Sequence, residues 1–594
     1  MLGIILNKIF QLLSMPDQIS KPHTANPSQD LFNKLIKIYQ LGQISKAERM
    51  SRKLLKKFPK SPAVMSILGA TLVSQGKFKN ALHAYNKIIQ LDPNHAETYF
   101  NRGIVFQKLR QFQDSIDSYG QAIKLKPNYP QAFNNRGYAL QELDNLDQAI
   151  DNYTQAVLLK PDYAEALYNT GVAFQTLEKF QDSIDSYNRA IKLQPNYPQA
   201  FNNRGYALQE LGNLDQAIDS YNQAILLKPD YFEAYYNQGS ALEDLRKIDE
   251  AINSYTKAIQ TKKNDVEARW NLSLLLIMTG DLKNGWQEYE FGKLTDKKDR
   301  RLVQTPYPLW KGENLSEKEI LITAEQGIGD EIMFSSCIPD IIKQNPKRIV
   351  VECDSRISTL LENSFKSIQT IKRKNRSQTE WGEDIDSIDY QVSIGSLPKF
   401  FRQDIDLFPQ KKSFLLPNKA LEKKWKNRYA LLGDGLKIGL SWKGGNNDQQ
   451  RSIKLQDWIE IFKFKAHFVN LQYGDCAQEI EQLKIEKGVH IHSWDDANPL
   501  TDLDNFSAQI SALDFVISVD NSTVHFAGAV GTTVWVLLPF LSNYRWMQCR
   551  NDSPWYPTMK LFRQARRNNW DNVFHDIKNE LKNLTVDRYF IADI

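Results

Sequence analysis

The stretch PNYPQAFNNRGYALQEL stands at residues 127–143 and recurs unchanged at 195–211. The interval between the copies is twice a shorter one: prolines occur at 59, 93, 127, 161, 195 and 229, each 34 residues after the last, and the series lapses at Lys263. A fixed period of this length is the mark of a solenoid, in which each unit buries its apolar face only against its neighbours. The identity of the two copies shows that a two-repeat block was duplicated with little later change.

Other columns run in step with the prolines. Glycine recurs at 69, 103, 137, 171, 205 and 239, tyrosine at 85, 119, 153, 187, 221 and 255, and alanine at 122, 156, 190, 224 and 258. Glycine lets two helices approach closely, the aromatic is expected to fill the groove between repeats, and proline stops the second helix of each unit. These columns resemble the tetratricopeptide repeat, over residues 28–295 as about eight repeats. A polar column, Asn33, Asn101, Asn135, Asn169, Asn203, Asn237 and Asn271, stands two residues before the glycine position. It is similar to the asparagine ladder of the O-linked N-acetylglucosamine transferases, and that resemblance implies a protein or peptide partner held along the superhelix. The alternative reading is an asparagine that is simply common at this position of the repeat.

Composition bounds the rest. The chain has 594 residues, enough for at least two domains, and a formal charge of +5 from 75 basic and 70 acidic side chains. That balance demands no nucleic-acid partner. Four cysteines, at 337, 353, 476 and 549, form no CxxC pair, which argues against structural zinc and leads us to expect a cytoplasmic protein. The opening MLGIILNKIFQLL (within segment 1–27) is too short for a span of about 20 residues, so at most peripheral membrane contact is expected. A charged and then proline-containing linker, 296–317, closes the repeats.

Beyond it the pattern changes to alternating strands and helices. EILITAEQ (319–326), RIVVECD (348–354) and DYQVSIGSLP (389–398) read as strands of one Rossmann-like half, 318–415. LKIGLSWKGG (436–445), HFVNLQYGD (467–475), VHIHSW (489–494), FVISVD (515–520) and TTVWVLLP (532–539) read as strands of a second, 416–594. The fold class is therefore an all-α superhelix followed by an α/β domain of two halves enclosing a cleft.

Three motifs carry chemistry. In GIGDE (327–331), Asp330 and Glu331 open a helix, where a carboxylate caps the helix or faces the cleft as a base. SWKGG sets Lys443 after a strand, with Arg451 soon after, as fixed charge for a diphosphate. Asp520-Asn521-Ser522-Thr523 precedes a helix of small residues and offers an anion site; His525 donates to a phosphate or is a satisfied core residue.

AEQGIGDEIMFSS, SWKGG, RSI followed by DW, and SALDFVISVDNSTVHFAGAVGTTVWVLLP together resemble the heptosyltransferase-like glycosyltransferases of family nine, in the variant fused to tetratricopeptide repeats. YRWMQCRNDSPWYPTMKLFRQ (544–564) is a further signature of that variant. The resemblance implies a two-lobed GT-B fold and inverting, metal-independent transfer from a nucleotide-sugar, with no other cofactor. Asp330 then matches the general base, with Glu331 able to share or replace it. Gly329, Trp442, Lys443, Arg451 and the loop Asp520, Asn521, Ser522, Thr523, Val524 and His525 match the donor site. On this reading Asp330→Ala removes transfer and leaves the fold nearly intact. The alternative is a repeat scaffold, or a nucleotide-sugar-binding protein without catalysis; a nicotinamide oxidoreductase is disfavoured by the missing third glycine of GxGxxG.

Overall fold

The computed structural model describes residues 26–292, 294, 305–373, 385, 387–445 and 449–591. The expected amphipathic start, 1–25, and the first part of the linker, up to 304, lie outside the described residues. Sixteen helices run from Gln29–Gln40 to Leu282–Gly292 in eight pairs. Two compact units part between Ala241 and Leu242, inside the helix Phe232–Asp244.

In the first unit the glycine and tyrosine columns explain each other. A Cβ at Gly103, Gly137, Gly171 or Gly205 would stand 2.6–2.7 Å from the ring of Tyr119, Tyr153, Tyr187 or Tyr221, sixteen positions on. The ring therefore fills the groove between the two helices of its own repeat and packs on into the next, as Tyr153 does against Ala173 and Tyr221 against Ala241. Each hydroxyl donates to the glutamine twelve residues back, as Tyr119 does to Gln107 at 2.8 Å and Tyr187 to Gln175 at 3.0 Å. A buried phenol is thus satisfied at the same place in successive repeats.

The second unit begins with the last helices of the repeats, Ile248–Thr261, Val266–Thr279 and Leu282–Gly292, and carries two parallel sheets. The first orders β1 (Glu319–Thr323), β2 (Arg348–Asp354), β3 (Ile368–Arg373) and β4 (Tyr390–Ser393) as β3-β2-β1-β4. The second holds β5 (Leu436–Ser441), β6 (Ala466–Asn470), β7 (Ile491–His492), β8 (Phe515–Val519), β9 (Thr533–Leu538) and β10 (Met559–Arg563). Its order is β10-β9-β8-β5-β6-β7. The central strands β1 and β8 are buried throughout, as parallel strands covered on both faces must be.

The final repeat helix is built into this α/β unit. Trp286 Nε1 donates to the Arg402 carbonyl at 3.0 Å, and its ring lies 6.2 Å from Trp555 and 6.3 Å from Phe334. Tyr289 donates to Glu325 Oε1 at 2.6 Å, in the loop that follows β1. Among the described residues no helix is long and apolar enough to cross a membrane.

Candidate functional site

Two helix starts converge in the second unit. Ile328–Ser335 follows β1 and Ser522–Val530 follows β8, and their first turns line a cavity of about 380 Å³. Both starts bring the positive end of a helix to that space, which favours an anion. The two helices approach as closely as they do because position 329 is glycine: a Cβ there would stand 2.9 Å from His525 Cδ2.

Asn521 shapes the second start. Its Oδ1 accepts the Thr523 N–H at 3.0 Å, and its Nδ2 donates to Ser441 Oγ at 2.8 Å and the Lys443 carbonyl at 3.0 Å. One side chain thus caps the helix and ties the end of β5 to the end of β8. Ser522 lines the cavity, whereas Thr523 and Val524 are fully buried and stand outside its lining. His525 lines it from beneath, bonded through Nδ1 to the Tyr556 hydroxyl at 2.9 Å and stacked on Trp546 at 5.4 Å. Burial, with the Arg545 charge adding to it, holds the imidazole down at about 3, so it is neutral at physiological pH. The histidine is both a satisfied core residue and a cavity wall.

The two carboxylates of GIGDE part company. Asp330 lines the cavity and is gripped by Arg545, whose Nε donates to Oδ1 at 2.7 Å and whose Nη2 donates to the same oxygen. Glu331 turns into the first sheet, where it pairs with Arg373 at 2.6 Å and accepts the Asp354 N–H at 2.9 Å. It caps nothing and stands outside the cavity lining. Burial pushes the Glu331 carboxyl from 4.5 up to about 7 against the pull of Arg373. A carboxyl raised on folding contributes stability that is full below pH 4.5 and fades as pH rises towards 7. Glu331→Gln is therefore expected to flatten the decline in unfolding free energy between pH 5 and 7, measured by denaturant titration at each pH. An unchanged slope would remove Glu331 as its source.

The SWKGG residues also separate. Trp442 is a fully buried core residue of the second sheet, and Lys443 points its ammonium at Glu479, 2.5 Å away. Neither lines the cavity, which takes Gly445 and Arg451 from this region instead. Gln472, which sequence reading passed over, holds this strand end: its Oε1 accepts from Ser441 Oγ, Trp442 N and Lys443 N at 3.0, 2.9 and 2.8 Å.

Three further cavity residues had no place in the sequence reading. Arg356 chelates Asp354 through Nε and Nη2 at 2.9 and 2.7 Å and reaches across to the Leu500 carbonyl at 2.9 Å. Tyr473 adds an aromatic wall. Arg545 lies in the 544–564 signature, which marked the segment without marking the residue. Asp520 completes the set: it is 3% exposed, burial raises its carboxyl, and its Oδ2 has no hydrogen-bond partner. Asp-X-Asp triplets stand at 384–386, 404–406 and 502–504; Asp384 and Asp386 lie outside the described residues, Asp404 and Asp502 cap short helices, and none of the four described carboxylates lines the cavity, although Leu503 between Asp502 and Asp504 does.

Five members of the asparagine column are half-buried and bonded inside the repeats. Asn135 donates to Tyr119, Asn169 to Asn134, Asn203 to Tyr168 and Asn237 to Asn202, at 3.5, 3.0, 3.1 and 3.1 Å. In the second unit Asn271 donates to Tyr255 at 3.3 Å. Each carboxamide therefore spends at least one N–H on a neighbouring helix. Asn101 is half-buried as well, and Asn33 is exposed.

Family models match this chain within its repeats. One tetratricopeptide repeat family model matches residues 130–163 and 198–231, a second matches 232–265, and a TPR repeat model matches 69–109, 111–144 and 176–212. Tetratricopeptide repeats are present in this chain. Such repeats suggest a protein-binding scaffold. Protein FlbA of Caulobacter vibrioides is 31% identical over 326 residues, covering 52% of this chain and 54% of FlbA. The chain thus spans about half the length of the curated relative it matches. Among solved structures, MamA is 26% identical at a TM-score of 0.27, covering 27% of this chain and 95% of its own. YrrB, described as a TPR protein with an unusual peptide-binding site, is 21% identical at a TM-score of 0.28, covering 31% of this chain and 95% of its own.

Proposed function

We propose that the second unit is a GT-B-type glycosyltransferase that moves a sugar from a nucleotide-sugar to an acceptor hydroxyl. The observation that carries this is the convergence of two helix starts, one carboxylate pair and three arginines on a single cavity at the carboxyl ends of two parallel sheets. An inverting transfer needs a base for the acceptor hydroxyl and donors for the departing diphosphate. Asp330 takes the acceptor proton as the new C–O bond forms. The bond from the sugar to the diphosphate breaks with its electron pair passing to phosphate, where Arg451, the Ser522 helix start and Gly445 meet it. Tyr473 and Phe506 give the base of the nucleotide an aromatic wall. The repeats bring a protein acceptor or partner, with the exposed edges of the asparagine column available to its backbone. Lys443 and Trp442 act by fixing the strand end rather than by touching the donor.

The test is a thermal-shift screen of the full chain against nucleotide-sugars and nucleoside diphosphates, since a ligand bound only to the folded state raises Tm. A rise with one nucleotide family, lost in Arg451→Gln, is expected. A flat response across the panel would leave the scaffold reading in its place.

A further inference from the structure

Arg545 is the cavity's least expected residue, because it occupies the very carboxylate the proposed reaction needs. Its Nε and a terminal nitrogen both donate to Asp330 Oδ1, and both side chains line the cavity. Two charged N–H groups on Oδ1 occupy the lone pairs that an acceptor hydroxyl would otherwise meet there. On the other side stands Asp520, almost wholly shielded, with Oδ2 unpartnered. The backbone around Arg545 is held on every side. Asn543 accepts its N–H at 3.4 Å, Tyr544 packs 6.5 Å from Trp286, and Trp546 stacks on His525. The guanidinium lies over the Tyr544 ring at 4.9 Å, and its planar fork fits a phosphate as well as a carboxylate.

Resting on the transferase reading above, we propose that Arg545 is a clamp displaced by the donor. In the free protein it masks Asp330. A diphosphate entering beside Ser522 and Arg451 draws the guanidinium onto its oxygens, and Asp330 is uncovered. The base then becomes available only when donor is bound, so donor binds before acceptor. Phosphate and Asp330 compete for one cation.

Competition gives a sign that a structural role would not. The probe is inorganic pyrophosphate titrated calorimetrically into the full chain, with uridine, adenosine and guanosine diphosphates alongside. Asp330→Asn, close in shape but uncharged, is expected to bind pyrophosphate roughly tenfold more tightly than wild type, since the competitor for Arg545 has lost its charge. Arg545→Lys, which keeps the charge and loses the fork, is expected to bind it roughly tenfold more weakly. Unchanged or weaker binding by Asp330→Asn, with wild type binding normally, overturns the displacement alone. Wild type that binds neither pyrophosphate nor any of the three nucleotides overturns the donor site on which it rests. Melting curves of both variants come first; should Arg545→Lys fail to fold, the Asp330→Asn comparison decides by itself.

Discussion

Asp330→Ala is expected to unfold more easily than the wild type by about 3–5 kcal/mol, because removing one partner of a buried ion pair strands the other. The side chains of Arg545 and Asp330 are only 14% and 12% exposed, so water does little to relieve the orphaned guanidinium. The expectation drawn from sequence, that this substitution leaves the fold nearly intact, is therefore replaced. Guanidinium chloride titration monitored by fluorescence reads the effect, with a shifted midpoint at constant slope marking a true loss of stability. Asp330→Asn keeps a hydrogen-bond acceptor for Arg545 and is expected to lose much less. In a transfer assay with the donor found by thermal shift, both variants are expected to fall by about 10²–10⁴, the share of a general base. Full activity in Asp330→Asn would remove Asp330 from the chemistry.

Trp286→Ala is expected to cost a further large share of the second unit's stability, about 3–5 kcal/mol for a buried tryptophan. Trp286 is 1% exposed, lies against Phe334, Tyr544 and Trp555, and loses with its indole the bond to Arg402. The distribution of tryptophans makes the test clean. All twelve lie at or beyond residue 270, so indole fluorescence follows residues 242–594, while helical ellipticity is weighted towards the repeats before them. The fluorescence transition is expected to move to lower denaturant and the ellipticity transition of the first unit to stay. A fluorescence midpoint equal to that of wild type would show that the last repeat helix is not part of the α/β unit's core.

Particular residues show where reading the sequence succeeds and stops. The repeats are legible because their contacts are local: Gly137 meets Tyr153 sixteen positions on, and the same short-range fit is written again every 34 residues. The central strands β1, β5, β8 and β9 are legible because parallel strands covered on both faces must be apolar without a break. β3 and β10 went unread. β3 is an edge strand with half-exposed side chains, and β10 sits in a segment rich in charge and proline, so neither shows the apolar run that marks a buried strand.

The site was legible as a neighbourhood and not as a set of side chains. Successive residues on a helix point about 100° apart, so Asp330 faces the cavity while Glu331 turns to Arg373 on β3. Successive residues at a strand end point to opposite sides, so Trp442 goes into the core and Lys443 out to Glu479. Local pattern alone determined the repeat array, the parallel α/β character of the second half and the two helix starts that line the cavity. Only the tertiary structure decided that Arg545, 215 positions from Asp330, holds it, and that Tyr289 of the last repeat grips the loop after β1. Pairings over such distances leave no period in the chain, because each depends on how whole elements stack.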